Sequence, residues 1–332
     1  MQAPTRADYV RTYFTLFACF QQERERTVHY GHPFEYADQI LIVFFTMMSV
    51  RRITAFKAQH RWLLHHLHEA IALGFEQIPH RITLSRRYKA LYPILQAFIA
   101  FVGGWAETLH SELDNRVLIE DASLFKAHGP VWHQSDRLAG QVPDKLRNLD
   151  QDASWRKSAY PGWVYGYSLH LTCNRSGFPK LVQVETACIS ESQVIEEKKQ
   201  ALFALDPLAI TGDNASFKAM RVRSWAAEGV ILLTPAVKWQ IGRYAAAYHR
   251  FIVKTPFKNW LKSRKTAIEP IFDLFSKILG TAHNHKQLPL QWLAKVRTFL
   301  CLSVLAVQIT MIVNNAFRLP LRQISNFLTA FS

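Results

Sequence analysis

The chain of 332 residues has only four cysteines, Cys19, Cys173, Cys188 and Cys301, and none lies at metal-binding spacing from another. That excludes a zinc framework and a disulfide scaffold and suits small core hydrophobes in a reducing compartment. There is no phosphate-binding Gly-rich loop and no nucleophile elbow, so no nucleotide cofactor is expected. Long apolar runs are also missing. The stretch from Thr298 to Val313 is about 16 residues, short of the roughly 20 that a spanning helix needs, and it carries Gln308 at its middle. Ile40 to Val50 is shorter still, and the N-terminus leads into no continuous apolar segment, so neither a membrane span nor a signal peptide is expected. The cluster His65, His66, His68 and Glu69 fails as a zinc motif because the position it requires is Ala72.

Acid is the most telling shortage. From Gly229 to Ile268 there is none, against eight Lys or Arg. The net charge is +15; residues 236–332 hold 14 Lys or Arg against two acids, while residues 119–235 balance at 13 of each. A one-sided excess interleaved with Trp239, Tyr244, Tyr248, Phe251, Phe257 and Trp260 points to a polyanion, nucleic acid first. The candidate DNA-contacting residues are Lys238, Arg243, Arg250, Lys254, Lys258, Lys262, Arg264, Lys265 and Lys277, with Trp155 as a candidate base-stacking residue.

Periodicity divides the chain. Residues 1–115 read as helices, including His60–Ile71 and Tyr88–Leu109, with Ser85 as a helix cap and Arg86-Arg87 at that helix start. Residues 116–285 change texture. Val117–Phe125, Trp163–Thr172 and Leu181–Ile189 read as strands, the last two as a hairpin. Glu191–Leu205 is helical, Leu208–Gly212 a short buried strand, Phe217–Glu228 a helix, Val230–Thr234 a strand and Lys265–Leu279 a helix. Between the first strand and the hairpin, 128–161 is a polar stretch too long for a plain connection, with Asp150 and Asp152 as loop-ordering candidates. The basic aromatic segment is 236–265, and 286–332 reads as C-terminal helices packing on the core. The order predicts an α/β fold: a mixed five-stranded sheet with flanking helices, the later strands parallel to the first, after an all-helical N-terminal region. This is the arrangement of an RNase H-like core.

Three carboxylates stand out against that order. Asp121 and Asp213 end apolar strands, where ligand chemistry gathers in such sheets. Glu269 lies beside the apolar stripe of a helix, with Asp273 as a rival one turn on. Glu120 alternates to the opposite strand face. Three convergent carboxylates suit two Mg²⁺ or Mn²⁺ ions, which can cut phosphodiester bonds.

The segments Leu118-Ile119-Glu120-Asp121-Ala122-Ser123-Leu124-Phe125-Lys126-Ala127, Gly162–His170, Ile210-Thr211-Gly212-Asp213 and Ala267-Ile268-Glu269-Pro270-Ile271-Phe272 resemble those of DDE transposases of bacterial insertion sequences, of the insertion-sequence-four and -five kind. The resemblance covers about residues 116–315. It implies catalytic, metal-holding roles for Asp121, Asp213 and Glu269, with Asp121 bridging two ions. It further implies hydrolysis at element ends, strand transfer into target DNA, terminal inverted repeats as partners, a homo-oligomer on DNA and a bacterial cytoplasmic, nucleoid-associated setting. On the same basis the N-terminal helices are expected to bind DNA ends or to dimerise. Where many relatives carry Tyr, Arg and Lys around the Glu, this chain has Lys262, Lys265 and Ser276. Two other readings share these residues: an inactive or domesticated DNA-binding relative, and a nuclease that cuts without joining.

Overall fold

The computed structural model describes residues 3–24, 36–158, 162–237 and 242–332; Lys238 and Trp239 therefore lie outside the described residues. Its centre is one mixed sheet of β1 (Val117–Lys126), β2 (Ser154–Ser158), β3 (Gly162–Asn174), β4 (Pro179–Thr186), β5 (Ala209–Thr211) and β6 (Ile231–Leu233). β3 runs antiparallel to β1 and to β4, whereas β5 is parallel to β1 and β6 to β5. The expected hairpin and the expected parallel strands are both present, giving the RNase H-like order. Gly166 permits the closest approach within the sheet, since a Cβ there would stand 1.9 Å from the Phe125 carbonyl oxygen.

The sheet has six strands rather than the five anticipated. β2 lies inside the polar stretch 128–161 and pairs with Gly162–Gly166 of β3. The reason is length: β3 has 13 residues and β4 only eight, so the start of β3 presents an open edge that Ser154–Ser158 closes. The rest of the polar stretch is pinned to a helix start. The buried Asp150 carboxylate accepts from the Tyr167 hydroxyl and from the Trp292 backbone N–H, and Asp152 accepts from Leu293 N–H.

Helices cover both faces. One apolar cluster joins the N-terminal helices (Tyr13, Phe17, Phe44, Phe98) to Ile119, Leu171 and Val182 of the sheet and to Phe272 and Leu300. The second, on the other face, gathers Leu118, Ile210, Leu232, Val222, Trp225 and Trp260. The helix Leu293–Ala316 has 24 residues, longer than the apolar run implied, and is long and apolar enough to cross a bilayer. It is nonetheless packed inside the protein: 89% of its most apolar window is buried, and Gln308 donates to the carbonyls of Ile99 and Pro179. The mid-helix amide thus finds neighbouring backbone for its N–H groups, while its buried Oε1 has no partner.

Three local expectations shift. Ser85 lies inside the helix Arg81–Ala90, whose cap is His80, and Arg87 is buried against Asp38 instead of presenting itself to a phosphate. Glu191–Leu205 is two short helices, Glu191–Glu197 and Lys199–Phe203. The helix anticipated over Lys265–Leu279 breaks at Ile268, between Phe257–Ala267 and Glu269–Leu279. Pro270 explains the break, because it has no N–H to give a continuing helix and is favoured in a first turn.

Strand alternation sends Glu120 away from Asp121, as anticipated. Glu120 is buried and receives two hydrogen bonds from Lys198 Nζ, at 2.8 and 2.9 Å, while Lys198 also donates to Thr172 Oγ1 at 2.7 Å. Removing one member strands the other charge in the core. Lys198→Met is therefore expected to destabilise the fold by about 3–5 kcal/mol, measured by urea unfolding.

Candidate active site

The sheet register brings the two strand-end acids together. In the parallel pair, Ile119 stands beside Thr211, the last paired residues of both strands. Asp121 and Asp213 each follow two residues later, so they emerge side by side where β1 and β5 part. Alternation puts Asp121 on the face of Ile119. Asp213 is fixed by its own turn, its Oδ1 accepting from the N–H groups of Ala215 (2.8 Å) and Ser216 (3.3 Å). Gly212 makes room for that turn, since a Cβ there would meet the Ser216 hydroxyl at 2.7 Å.

Two further groups complete the cluster. Arg264, from the last turn of Phe257–Ala267, donates from Nη2 to Asp121 Oδ1 at 2.8 Å. Burial raises the Asp121 pKa, Arg264 pulls it back, and Asp213 adds to the rise; the net shift is upward. Burial likewise works against the charge of Arg264, but Asp121, then Asp213 and Glu191, outweigh it and hold the guanidinium more firmly protonated. Glu191, the first residue of its helix, faces Asp213 and Asp121 and pairs with Arg156 at 2.6 Å. The ion pair does not win. Burial, followed by the charge of Asp213, pushes the Glu191 carboxyl up to about 8. Sequence reading missed Glu191 because a Glu after Ser190, a helix cap, reads as ordinary N-terminal capping chemistry.

Asp121, Asp213 and Glu191 line a cavity of about 760 Å³ whose basic margin is Lys126, Arg156, Lys157 and Lys286. Lys286 also donates to Ser123 Oγ at 2.7 Å. Acid beside cation in one cleft is the charge pattern needed by a phosphodiester whose own charge meets the basic groups while a metal sits on the acids.

The other anticipated residues are placed as follows. Glu269 is exposed at the start of Glu269–Leu279 and is not among the residues lining the cavity. Asp273, also exposed, acts electrostatically on Lys286. Trp155, partly exposed, is tied into its own loop, donating to the Trp132 carbonyl and meeting the rings of Trp163 and Tyr165. Lys258, Lys262 and Lys265 recur at helical spacing on the exposed side of Phe257–Ala267, opposite buried Trp260. Arg243, Arg250, Lys254 and Lys277 are exposed as well, and none of these seven cations is in an ion pair among the described residues. Arg264 is the exception in the basic set, turned inward to Asp121.

Among the described residues no three His, Cys, Asp or Glu side chains are already closed around a metal position. Two adjacent carboxylates do suit Mg²⁺, which keeps several waters and takes one or two carboxylates plus substrate phosphates.

The raised Glu191 pKa has a stability consequence. The folded chain keeps a proton that the unfolded chain releases above pH 4.5, so the penalty is absent at acid pH, grows between pH 4.5 and about 8, and is complete above. In chelator, the wild type should lose stability relative to Glu191→Gln between pH 5 and pH 8, by on the order of a few kcal/mol, read from urea unfolding at each pH.

No protein-family model matches the chain, and no curated protein matches it. Among solved structures it is similar to the Mos1 transposase paired-end complex with left transposon end, at 13% identity over 91% of this chain and 88% of that one, with a TM-score of 0.22. It is also similar to a pre-cleavage Mos1 transpososome (10% identity, 89% and 97% covered, TM-score 0.21) and to the Mos1 strand transfer complex (10%, 85% and 88%, TM-score 0.20). At such identities and TM-scores the chemistry has to be read from this chain's own residues.

Proposed function

We propose that the chain is a metal-dependent DNA transposase of the DDE kind, hydrolysing the phosphodiester at element ends and joining the new end to target DNA. The observation that carries this reading is the pair Asp121 and Asp213, held side by side at the end of two parallel strands in a cleft rimmed by Lys126, Arg156, Lys157 and Lys286. Mg²⁺ or Mn²⁺ held by these two acids, as one or two ions, would activate the attacking oxygen and stabilise the leaving one. The third carboxylate has two claimants: the resemblance points to Glu269, and packing favours Glu191.

The protein's own part is placement. The rim cations hold the scissile phosphate over the acids, and the exposed row Lys258, Lys262 and Lys265, with Arg243, Arg250 and Lys254, tracks the flanking backbone. In hydrolysis a water oxygen bonds to phosphorus and the bridging O3′ departs as a 3′-hydroxyl. In joining, that hydroxyl oxygen bonds to a target phosphorus and displaces the target's O3′. No nucleotide cofactor is needed, because one phosphodiester is exchanged for another. The N-terminal helices are assigned to terminal-repeat binding or dimerisation, in a nucleoid-associated bacterial setting.

Strand transfer in vitro, with oligonucleotides carrying the inverted repeats that flank the reading frame, tests the reading. Asp121→Asn and Asp213→Asn should each lower joining at least about 100-fold while retaining DNA binding. Cutting without joining would instead mark a nuclease, and unchanged binding with no chemistry in wild type a decayed relative. Glu191→Gln and Glu269→Gln assayed side by side identify the third acid: the variant that loses cleavage names it. For the basic row, the triple change Lys258, Lys262 and Lys265 to Glu should weaken duplex binding and flatten its salt dependence by about three counterions, measured by fluorescence anisotropy across a salt series.

A further inference from the structure

Arg264 is at odds with every other described basic residue of its segment. Its neighbours Lys262 and Lys265 are exposed, yet its guanidinium is drawn inward by Asp121, Asp213 and Glu191. It bonds Asp121 with Nη2 alone, and its Nε is buried with no partner. A bidentate pair would engage two of its nitrogens. The guanidinium thus satisfies the acids' charge without completing its own hydrogen bonds, and it remains about one quarter exposed.

We propose that Arg264 is a built-in counter-cation that occupies the divalent-cation position in the DNA-free chain and must withdraw before metal binds. This rests on the metal-site reading above and adds its regulation. Glu191 already has Arg156, but Asp121 and Asp213 would otherwise stand ionised side by side in a half-buried cleft, so the resident charge of Arg264 keeps the empty site folded. A divalent ion and a guanidinium compete for the Asp121 carboxylate, since two cations held on one carboxylate repel each other. DNA provides the exchange partner. Arg264 stands on the helix that carries the exposed lysine row, so backbone laid along that row offers its guanidinium a phosphate as an alternative to Asp121. Metal would then load once DNA has arrived, and the ions would be kept off a protein without substrate.

The test is Mn²⁺ binding to the full chain without DNA, followed by electron paramagnetic resonance, for wild type, Arg264→Gln, Arg264→Lys and Asp121→Asn, with circular dichroism to confirm folding. Arg264→Gln should bind Mn²⁺ at least about tenfold more tightly than wild type. Arg264→Lys, which keeps the charge, should stay within about threefold of wild type, and Asp121→Asn should lose binding. A short duplex should tighten Mn²⁺ binding by wild type and add little for Arg264→Gln. Equal or weaker Mn²⁺ binding by Arg264→Gln overturns the inference and leaves the metal site standing. Failure of wild type, Arg264→Gln and Arg264→Lys alike to bind Mn²⁺, with or without duplex, overturns the metal site and the inference with it. If Arg264→Gln does not fold, Arg264→Lys decides in the presence of duplex: no tightening by DNA overturns the proposal.

Discussion

Strand β1 carries two consecutive carboxylates into the interior, Glu120 on one face of the sheet and Asp121 on the other, and each has to meet a cation there. A carboxylate removed from water without a partner is too costly to keep ionised. The fold answers twice. Lys198 shares three hydrogen bonds with Glu120 and Thr172, while Arg264 makes one bond to Asp121. The first crossover and the basic helix pack into the same apolar cluster, through Ile195, Leu202 and Trp260, and each brings one cation to the strand.

The two pairs differ in the way that separates structure from function. The Glu120–Lys198 pair is closed, with both partners nearly inaccessible and every contact made within the fold. Its role is to lock β1 against β3 and the first crossover. At Asp121 the pairing is open to a cleft, shared with Asp213 and Glu191, and leaves one guanidinium nitrogen unsatisfied. Unfinished pairing of this sort is poor use of a buried charge if stability is all that matters. It makes sense where another cation and another anion are to arrive.

Much of this arrangement was legible in the chain because it rests on local pattern. Apolar runs ending in Asp121 and Asp213, joined through a hairpin and a helical crossover, fit a parallel pairing whose strand ends coincide, and alternation separates Glu120 from Asp121. Other parts follow from contacts that no local pattern carries. Ser154–Ser158 is a polar sequence that becomes a strand only because β3 outruns β4. Arg264 and Asp121 are 143 positions apart, and a lysine-rich helix gives no hint of which cation turns inward. Glu191 looks like a capping acid until the fold sets it against Asp213. Glu269 is the converse case: motif resemblance singles it out, and the folded chain leaves it exposed at a helix start.

The distribution of charge along the chain then acquires a spatial meaning. The acid-free stretch supplies both an exposed lysine row and the cation that pairs with Asp121 in the cleft. Had acids been scattered through it, they would compete locally for Arg264 and weaken its hold on Asp121. With no acid on its own segment, the guanidinium turns to the cleft carboxylates. On the proposed reading, a single helix thereby couples the exposed lysine row to the carboxylate on which a divalent ion would sit. The coupling needs no large motion, only the transfer of one side chain between two anions.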